Sequence, residues 1–253
     1  MTSTMRLASP AAIAAALLVL GGGTPALAQD ATPPAMAVAP AAVAESAAAP
    51  NNTVRVGMYF VHYSASAPDL SGPFTPAHIN LTVENVNTPY FAYLRRLDPH
   101  WSLELAAGIP PTTHTLGKGP PYLGSVPFDG QQVATAKWFS PSFLVEYNFR
   151  SEQEKFRPYV GAGFNYTHFY ERNSTAAGDA ANGGPTSTRL SNSIGPAATA
   201  GLSYKFTREI NAIASYSFAR VNSDYDSDTA GIHRTTKVHF NPRTLVIAVG
   251  YSF

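Results

Sequence analysis

The sequence predicts an all-β fold, an eight-stranded antiparallel transmembrane β-barrel with long extracellular loops and short periplasmic turns. Only 13% of the 253 residues are charged, below the roughly 25% that is usual in soluble domains. The mean hydropathy is nevertheless only -0.07. From Asn52 onward, large apolar residues alternate with small or polar ones. That alternation is typical of strands with lipid on one face and a lumen on the other.

The first 50 residues precede this alternating pattern. Arg6 is followed by an apolar stretch from Leu7 to Leu20, and an A-x-A motif ends at Ala28. These features predict a secretory signal peptide over residues 1–28, cleaved after Ala28. Residues 29–51 are mostly Ala, Pro and Val, which bury too little surface to offset the entropy of ordering. We therefore expect a flexible periplasmic arm at 29–51, followed by the barrel at 52–253.

The last strand shows the alternation most clearly. Between Thr244 and Phe253, one parity carries Leu, Ile, Val, Tyr and Phe, and the other carries Thr, Val, Ala, Gly and Ser. Seven further segments follow the same period of two, which is the period of side chains along a strand. They are Val54–Ser64, Thr88–Arg96, His100–Ile109, Ala134–Arg150, Phe156–Tyr170, Asn192–Lys205 and Glu209–Val221.

The connections between these strands alternate in length. Three are short: 97–99, 151–155 and 207–208. Four are long and rich in Gly, Pro, Ser, Asn and Asp: 65–87, 110–133, 171–191 and 222–237. Long extracellular loops and short periplasmic turns are the pattern of outer-membrane barrels, and it places both termini in the periplasm. An even number of strands closes the sheet, so no unpaired edge faces lipid.

The parity of the last strand, extended to the others except 88–96, assigns five charged side chains to the lumen. They are Arg55, Glu104, Glu146, Arg157 and Lys205. A charge that faces lipid at the midplane costs about 2–4 kcal/mol, so the lumen is the cheaper side. We expect opposite charges to pair and block the lower lumen, either as a structural salt-bridge cluster or as a charged gate. Eight strands leave room only for side chains or one small ligand.

Apolar side chains near the long-loop end are candidates for a ligand funnel. They are Phe74, Leu116, Tyr122, Leu123, Phe128, Trp138 and Phe139. Apolar pockets are common at barrel mouths, but aromatic residues also anchor barrels at the lipid–water interface. Pro141 and Pro196 lie inside predicted strands. Because proline donates no hydrogen bond to a ladder, these positions predict weak points where a solute can leave sideways.

The most specific run, Lys155–Thr167, closely resembles the OmpW family of small outer-membrane barrels. Leu103–Ala107 and the closing Gly250–Phe253 fit the same pattern, whereas Tyr63 stands where the family usually has a proline. The resemblance covers 54–253. It implies an outer-membrane barrel with an apolar interior that lets small hydrophobic molecules pass, with neither catalysis nor a cofactor. It also implies contact with lipopolysaccharide, and Phe253 resembles the terminal signal that the barrel assembly machinery reads.

Two other functions stay open. The long loops suit a surface barrel that binds host cells or phage. A lipid-modifying enzyme is a further alternative, because His62 and Ser64 form an H-x-S pair like that of lipid A deacylase barrels, within reach on one strand face. The Asn that follows in that family is Ala65 here, which disfavours the enzyme.

Several kinds of site are disfavoured by composition. A net charge of +1 gives no field for nucleic acid, and the absence of cysteine excludes thiol chemistry. The seven histidines lack metal-ligand spacing. Asp224, Asp226 and Asp228 alternate in a predicted solvated loop. A Ca²⁺ site there is the alternative, although the Gly and terminal Glu of an EF-hand are missing.

Overall fold

The computed structural model describes residues 50–253. The predicted signal peptide, and the predicted arm up to residue 49, lie outside the described residues. The described part contains sixteen strands and one short helix. In chain order they are β1 (Asn52–Tyr63), β2 (Asn80–Val83), β3 (Val86–Arg96), β4 (Trp101–Gly108), β5 (Thr112–Lys118), β6 (Tyr122–Leu123), β7 (Val126–Pro127), β8 (Gln132–Phe139), β9 (Ser142–Asn148), β10 (Phe156–Ser174), α1 (Ala176–Asn182), β11 (Thr186–Leu190), β12 (Ser193–Lys205), β13 (Ile210–Ala219), β14 (Asn222–Thr229), β15 (Ile232–His239) and β16 (Pro242–Ser252).

Eight of these strands close into a barrel in the order β1-β3-β4-β9-β10-β12-β13-β16. Every neighbouring pair is antiparallel, and β12 pairs with β10 to complete the ring on one side. The last strand pairs with the first from Thr53↔Ser252 to Tyr63↔Pro242. The predicted eight-stranded antiparallel barrel is confirmed. Within residues 50–253, none of the helical structure has the length and apolar character of a membrane-spanning helix.

Side-chain alternation explains how the strands face. On β16, Leu245, Ile247 and Val249 are exposed on the outer face, whereas Val246 and Ala248 are buried in the lumen. On β3, whose parity the sequence left open, the structure decides the matter. Its residues Phe91 and Tyr93 face outward, and Tyr90, Ala92 and Leu94 face inward. On each strand, alternate residues face the lumen and the others face outward. This alternation fixes the register, because a slip by one residue would turn the outward-facing apolar side chains into the lumen.

The expectation of a single fourth strand over Ala134–Arg150 is wrong. Ser140 and Pro141 separate β8 from β9. Both strands pair with β10, but on the other edge the β4–β9 ladder stops at Ala106↔Ser142 and the β5–β8 ladder starts at Thr112↔Lys137. Pro110 and Pro111 lie in this interval opposite Pro141. Since three prolines lack the N–H that a ladder needs, the pairing is interrupted there.

The four long connections contain much regular structure. They form a folded extension at one end of the barrel, which we call the cap. In the cap, β10 extends past its predicted end to Ser174 and pairs with β8, which continues the sheet through β5 to β2. Strands β11, β14 and β15 form a second sheet. A common apolar core joins these parts: Ile79, Leu81, Val83, Phe128, Val133, Phe169, Val221, Tyr225, Val238 and Phe240.

Asp224, Asp226 and Asp228 lie on strand β14 of the cap, so the prediction of a solvated loop is wrong for them. The alternate residues Ser223, Tyr225 and Ser227 are buried, which gives the period of two of a half-buried strand. The turn to β15 is made by Ala230 and Gly231, with φ of 52° and 84°. Two successive positive φ values are the geometry of a tight hairpin turn.

Candidate functional site

The lower lumen contains one arginine between two glutamates. Arg55 lies on β1, Glu104 on β4 and Glu146 on β9, and their exposed fractions are 4%, 7% and 0%. The Arg55 Nη1 donates to Glu104 Oε2 and, at 3.2 Å, to Glu146 Oε1. A buried charge that lost its partner would be strongly destabilising. The three side chains are therefore interdependent.

Three tyrosines complete this level of the lumen. Tyr90 Oη donates to Glu104 Oε1 at 3.3 Å, and Tyr59 packs edge-on against Tyr90 with ring centroids 4.7 Å apart. The Arg55 guanidinium carbon lies 5.4 Å from the centre of the Tyr159 ring, within the range of a cation–π contact. We call this group the charged layer: Arg55, Glu104, Glu146, Tyr59, Tyr90 and Tyr159. The sequence analysis does not include the tyrosines in this group, although Tyr159 lies two residues after Arg157 and therefore shares its inward parity.

The other two predicted lumen charges lie apart from this layer, at the short-turn end. Arg157 Nη2 donates to the carbonyl oxygen of Pro99 at 2.6 Å. Lys205 Nζ donates to the carbonyl oxygen of Glu152 at 2.7 Å. The Glu152 carboxylate pairs with Arg96 at 2.7 Å. The five predicted charges thus divide into a central set of three and a rim set of two. Glu152, from the short connection 151–155, lies at the same rim.

Above the charged layer the lumen holds a cavity of about 1030 Å³ of empty space, open solvent included. We call it the lumen cavity. Its floor is formed by Tyr59, Tyr90 and Glu104. Its walls combine small hydroxyl residues with apolar ones, among them Ser140, Ser142, Leu144, Ala197, Ser215, Ser217 and Val246. Small inward side chains leave this space because they do not reach the opposite wall of an eight-stranded barrel.

Aromatic residues line the cavity where it meets the cap. Phe169 and Phe240 stack with centroids 5.2 Å apart, and both also belong to the cap core. Trp138 faces the cavity, and its Nε1 donates to Thr113 Oγ1 at 2.8 Å. Pairing the indole N–H leaves its apolar ring as the surface that a ligand would meet.

The seven predicted funnel residues do not form one funnel. Trp138 lines the lumen cavity. Phe74, Leu123 and Phe128 line a separate space of about 540 Å³, open solvent included, within the cap. We call this space the cap cavity. The remaining three residues line neither cavity: Leu116, Tyr122 and Phe139.

The wall of the lumen cavity has two irregular places. At the first place, the backbone N–H of Arg220 donates to the carbonyl oxygen of Pro196 at 2.9 Å. Pro196 has no N–H with which to donate a second bond to Arg220. The inward residues beside it, Ala197 and Ala219, are small, and the cavity wall includes Ala198 and Phe218, whose side chains face outward. Little more than backbone therefore separates the cavity from the outer face between β12 and β13.

The second place is the unpaired interval beside Pro141. Asn165 is 4% exposed and holds this interval from the β10 side. Its Nδ2 donates to the carbonyl oxygen of Pro141 at 3.1 Å and contacts Ser140 Oγ at 2.9 Å and Ser142 Oγ at 3.0 Å. One buried amide thus ties the segment Ser140–Ser142, which joins β8 to β9, to β10.

The remaining predicted residues have simple surroundings. Phe253 follows β16, and its backbone N–H donates to the carbonyl oxygen of Asn52 at 2.8 Å; its role as an assembly signal stays a prediction. His62 is exposed on β1, and Ser64 lies just beyond the end of that strand. In the described range 50–253, no group of three or more His, Asp or Glu side chains is placed to hold a metal ion.

A sequence model of the OmpW family matches residues 51–253. The chain belongs to the OmpW family. It is 32% identical to outer membrane protein W of Vibrio cholerae over 152 residues, which is 60% of this chain and 67% of the relative. It is 28% identical to outer membrane protein W of Escherichia coli over 121 residues, 48% of this chain and 56% of that relative. It is also 31% identical to the dibenzothiophene metabolism operon protein PahQ of Pseudomonas aeruginosa over 120 residues, 47% of this chain and 53% of PahQ.

Solved structures agree on the fold of this OmpW-family barrel. The crystal structure of the outer membrane protein OprG from Pseudomonas aeruginosa superposes with a TM-score of 0.73 at 21% identity, covering 81% of this chain and 96% of OprG. The solid-state NMR structure of AlkL gives a TM-score of 0.60 at 16% identity, covering 89% of this chain and 97% of AlkL. The protein is a barrel of the bacterial outer membrane, so the outer face of the strands contacts lipid.

Proposed function

We propose that this OmpW-family protein is a passive conduit for small hydrophobic molecules across the outer membrane. The observation that supports it is the lumen cavity, which lies directly above the charged layer and is lined largely by apolar and small side chains. A conduit needs no catalytic group because it only lowers the barrier for downhill movement. The name of the relative PahQ refers to dibenzothiophene metabolism, and dibenzothiophene is a small apolar aromatic molecule.

The charged layer sets the route. An apolar solute that descends from the cap would have to displace the ion pairs of Arg55 to continue along the barrel axis. Breaking a buried pair costs several kcal/mol, about 3–5 when one partner is lost. Sideways exit into the membrane avoids that cost. We place the exit between β12 and β13 beside Pro196, because the cavity wall there includes the lipid-facing residues Ala198 and Phe218.

The experiment compares two alanine-to-phenylalanine substitutions in a Gram-negative strain that lacks its own copy of this gene. Ala197→Phe points a ring into the lumen cavity at the proposed exit, whereas Ala214→Phe points the same ring into lipid on β13. Uptake of a panel of alkanes, terpenes and polycyclic aromatics is measured for both variants. We expect Ala197→Phe to reduce uptake to the rate of the deletion strain and Ala214→Phe to leave it unchanged.

One result would contradict the conduit itself, and another would contradict only the proposed exit. If deletion of the gene leaves the uptake of every apolar compound unchanged but alters phage sensitivity or adhesion, the surface-binding function replaces it. If both variants transport normally while the deletion strain does not, the conduit stands and the exit beside Pro196 is wrong. Heat-modifiable migration on an unheated gel checks that each variant has folded into a barrel.

A further inference from the structure

The cap contains a buried arginine that has no acidic partner. Arg234, on β15, is only 8% exposed. Its Nη1 donates to Asn182 Oδ1 at 3.3 Å. Among residues 50–253, no carboxylate oxygen lies within 4.0 Å of its guanidinium nitrogens. Buried guanidinium groups are normally paired, because an isolated charge in a poorly hydrated site is costly. A positive charge is therefore available inside the cap.

The pairing of β14 with β15 explains why the nearby aspartates leave this charge uncompensated. Arg234 lies opposite Ser227, and both are buried on the same face of the sheet. Asp226 and Asp228 belong to the opposite parity, where they contact the His233 ring nitrogens at 3.7 Å and 3.0 Å. Burial raises the pKa of Tyr225 to about 12, so that phenol is neutral near pH 7 and supplies no negative charge.

The space beside Arg234 is the cap cavity, whose other walls combine an apolar side with neutral polar groups. Ile79, Leu81, Phe128 and Val133 line it, and all four belong to the cap core. Thr75, Asn182 and Ser227 add neutral polar groups to the wall. One charged donor among apolar and a few neutral polar groups is a composition that suits an amphipathic ligand.

The loop from residue 65 to residue 78 covers this site in a defined position. The backbone N–H of Ser71 donates to the carbonyl oxygen of Thr235 at 2.9 Å. Gly72 has φ of +147°, and a Cβ there would lie 2.4 Å from the carbonyl oxygen of His233. Only glycine permits so close an approach of two backbones. This contact holds the loop against β15. Leu70 and Phe74 of the loop lie at the edge of the cavity, and Phe74 is 86% exposed.

We propose that the cap cavity binds an anionic amphiphile, a carboxylate on a short apolar body. The carboxylate accepts hydrogen bonds from the Arg234 guanidinium, whose planar fork matches two carboxylate oxygens. The apolar body contacts Ile79, Leu81 and Phe128. A neutral solute would leave the guanidinium unpaired, and an inorganic anion would leave the apolar wall empty. This binding does not require that the barrel conduct anything, so it is independent of the conduit.

The first test uses the wild-type full chain refolded in lipid nanodiscs and isothermal titration calorimetry, with empty nanodiscs subtracted. The probes are hydrocinnamate, the neutral hydrocinnamyl alcohol of the same shape, and inorganic phosphate. We expect saturable binding of hydrocinnamate, about tenfold or more tighter than the alcohol, because hydrogen bonds to charged groups are worth more than neutral ones. Equal binding of acid and alcohol, or phosphate binding as tight as hydrocinnamate, would overturn the proposal.

The second test changes the charge. Arg234→Gln should weaken hydrocinnamate binding about tenfold or more and leave the alcohol unaffected, whereas Arg234→Lys should restore part of the affinity. Arg189→Gln is the matched control, because Arg189 is exposed on β11 of the same sheet. Unchanged binding in a folded Arg234→Gln variant would also refute the site. If that variant does not fold, the comparison of acid with alcohol on the wild-type chain decides the question alone.

Discussion

The lower lumen is filled by side chains, whereas the upper lumen, where the cap strands β5 and β8 join the barrel strands as walls, is hollow. Below, large inward side chains meet across the barrel, with Arg55 between Glu104 and Glu146 and three tyrosines around them. Above, inward residues such as Ser142, Ala197 and Ser215 are small, and they leave the lumen cavity, about 1030 Å³ with open solvent included. The size of the inward side chains, and not the strand number, therefore decides whether this lumen is closed.

The two halves also differ in how their polar groups are satisfied. In the charged layer, both carboxylates depend on one guanidinium. Around the lumen cavity, hydroxyl and amide groups bond to neighbours on adjacent strands, as Ser217 Oγ does to Thr199 Oγ1 at 2.9 Å. Removing a shared ion partner leaves charges without compensation, whereas removing one hydroxyl costs a single neutral hydrogen bond. We therefore expect substitutions below to cost more stability than substitutions above.

The largest expected effect is that of Arg55→Leu, which leaves Glu104 and Glu146 facing each other without a cation. We expect the free energy of unfolding to fall by about 3–5 kcal/mol. Urea unfolding in lipid vesicles, followed by gel migration, measures the change. Adding Glu104→Gln and Glu146→Gln to Arg55→Leu should recover most of the loss. A change below 1 kcal/mol for Arg55→Leu alone would mean that the charged layer contributes no more than a surface pair, about 0–1 kcal/mol.

The second effect concerns the upper half. Leu144 is 6% exposed and lines the lumen cavity, so Leu144→Ala enlarges an existing space. We expect a loss of about 2 kcal/mol, at the low end of leucine-to-alanine changes in packed cores. The same urea titration measures it. A loss as large as that of Arg55→Leu would show that the upper lumen is packed as tightly as the lower one.

The third effect concerns the interval beside Pro141, where the Asn165 amide ties Ser140–Ser142 to β10. We expect Asn165→Leu to lower the free energy of unfolding by about 1–2 kcal/mol, because buried groups lose their partner. We also expect faster hydrogen exchange of the amides of Ala107 and Gly108, next to the interval. Thr199→Val, which removes one hydroxyl pair elsewhere in the wall, should leave that exchange unaltered.

The smallest effect is expected at the periplasmic rim. Lys205 is half-buried and donates to a backbone carbonyl at 2.7 Å, so Lys205→Ala removes one partly hydrated hydrogen bond. We expect a loss of about 0.5–1 kcal/mol, the scale of single exposed interactions. A loss comparable to that of Arg55→Leu would mean that the rim and the charged layer act as one network after all.

The membrane wall could be predicted almost completely from the sequence, but the cap could not. Along β16 the alternation of Leu245, Ile247 and Val249 with small residues is uninterrupted and needs no partner to be recognised. In the cap, the apolar residues are spread over four connections and separated by Gly and Pro, so each segment alone looks irregular. Only when the connections meet do Ile79, Phe128 and Val238 form one core.

The candidate site shows the same division. Parity assigned Arg55, Glu104 and Glu146 to the lumen, since a charge facing lipid is expensive. Parity does not fix the level of a side chain along the barrel axis, and that level decides which charges meet. The stagger of strands around a barrel is set by the registers of all eight ladders together. It brings β1, β4 and β9 to one level at these three residues and leaves Arg157 and Lys205 near the turns.

The sequence by itself determined the fold class, the face on which each clear strand residue lies and the family, because side-chain alternation and the run Lys155–Thr167 are local properties of the chain. The tertiary structure alone decided the charged layer, the lumen cavity, the break at Pro141 and the uncompensated Arg234. Each of these depends on distances between residues far apart in sequence, which ladder registers and barrel closure fix and no local pattern encodes.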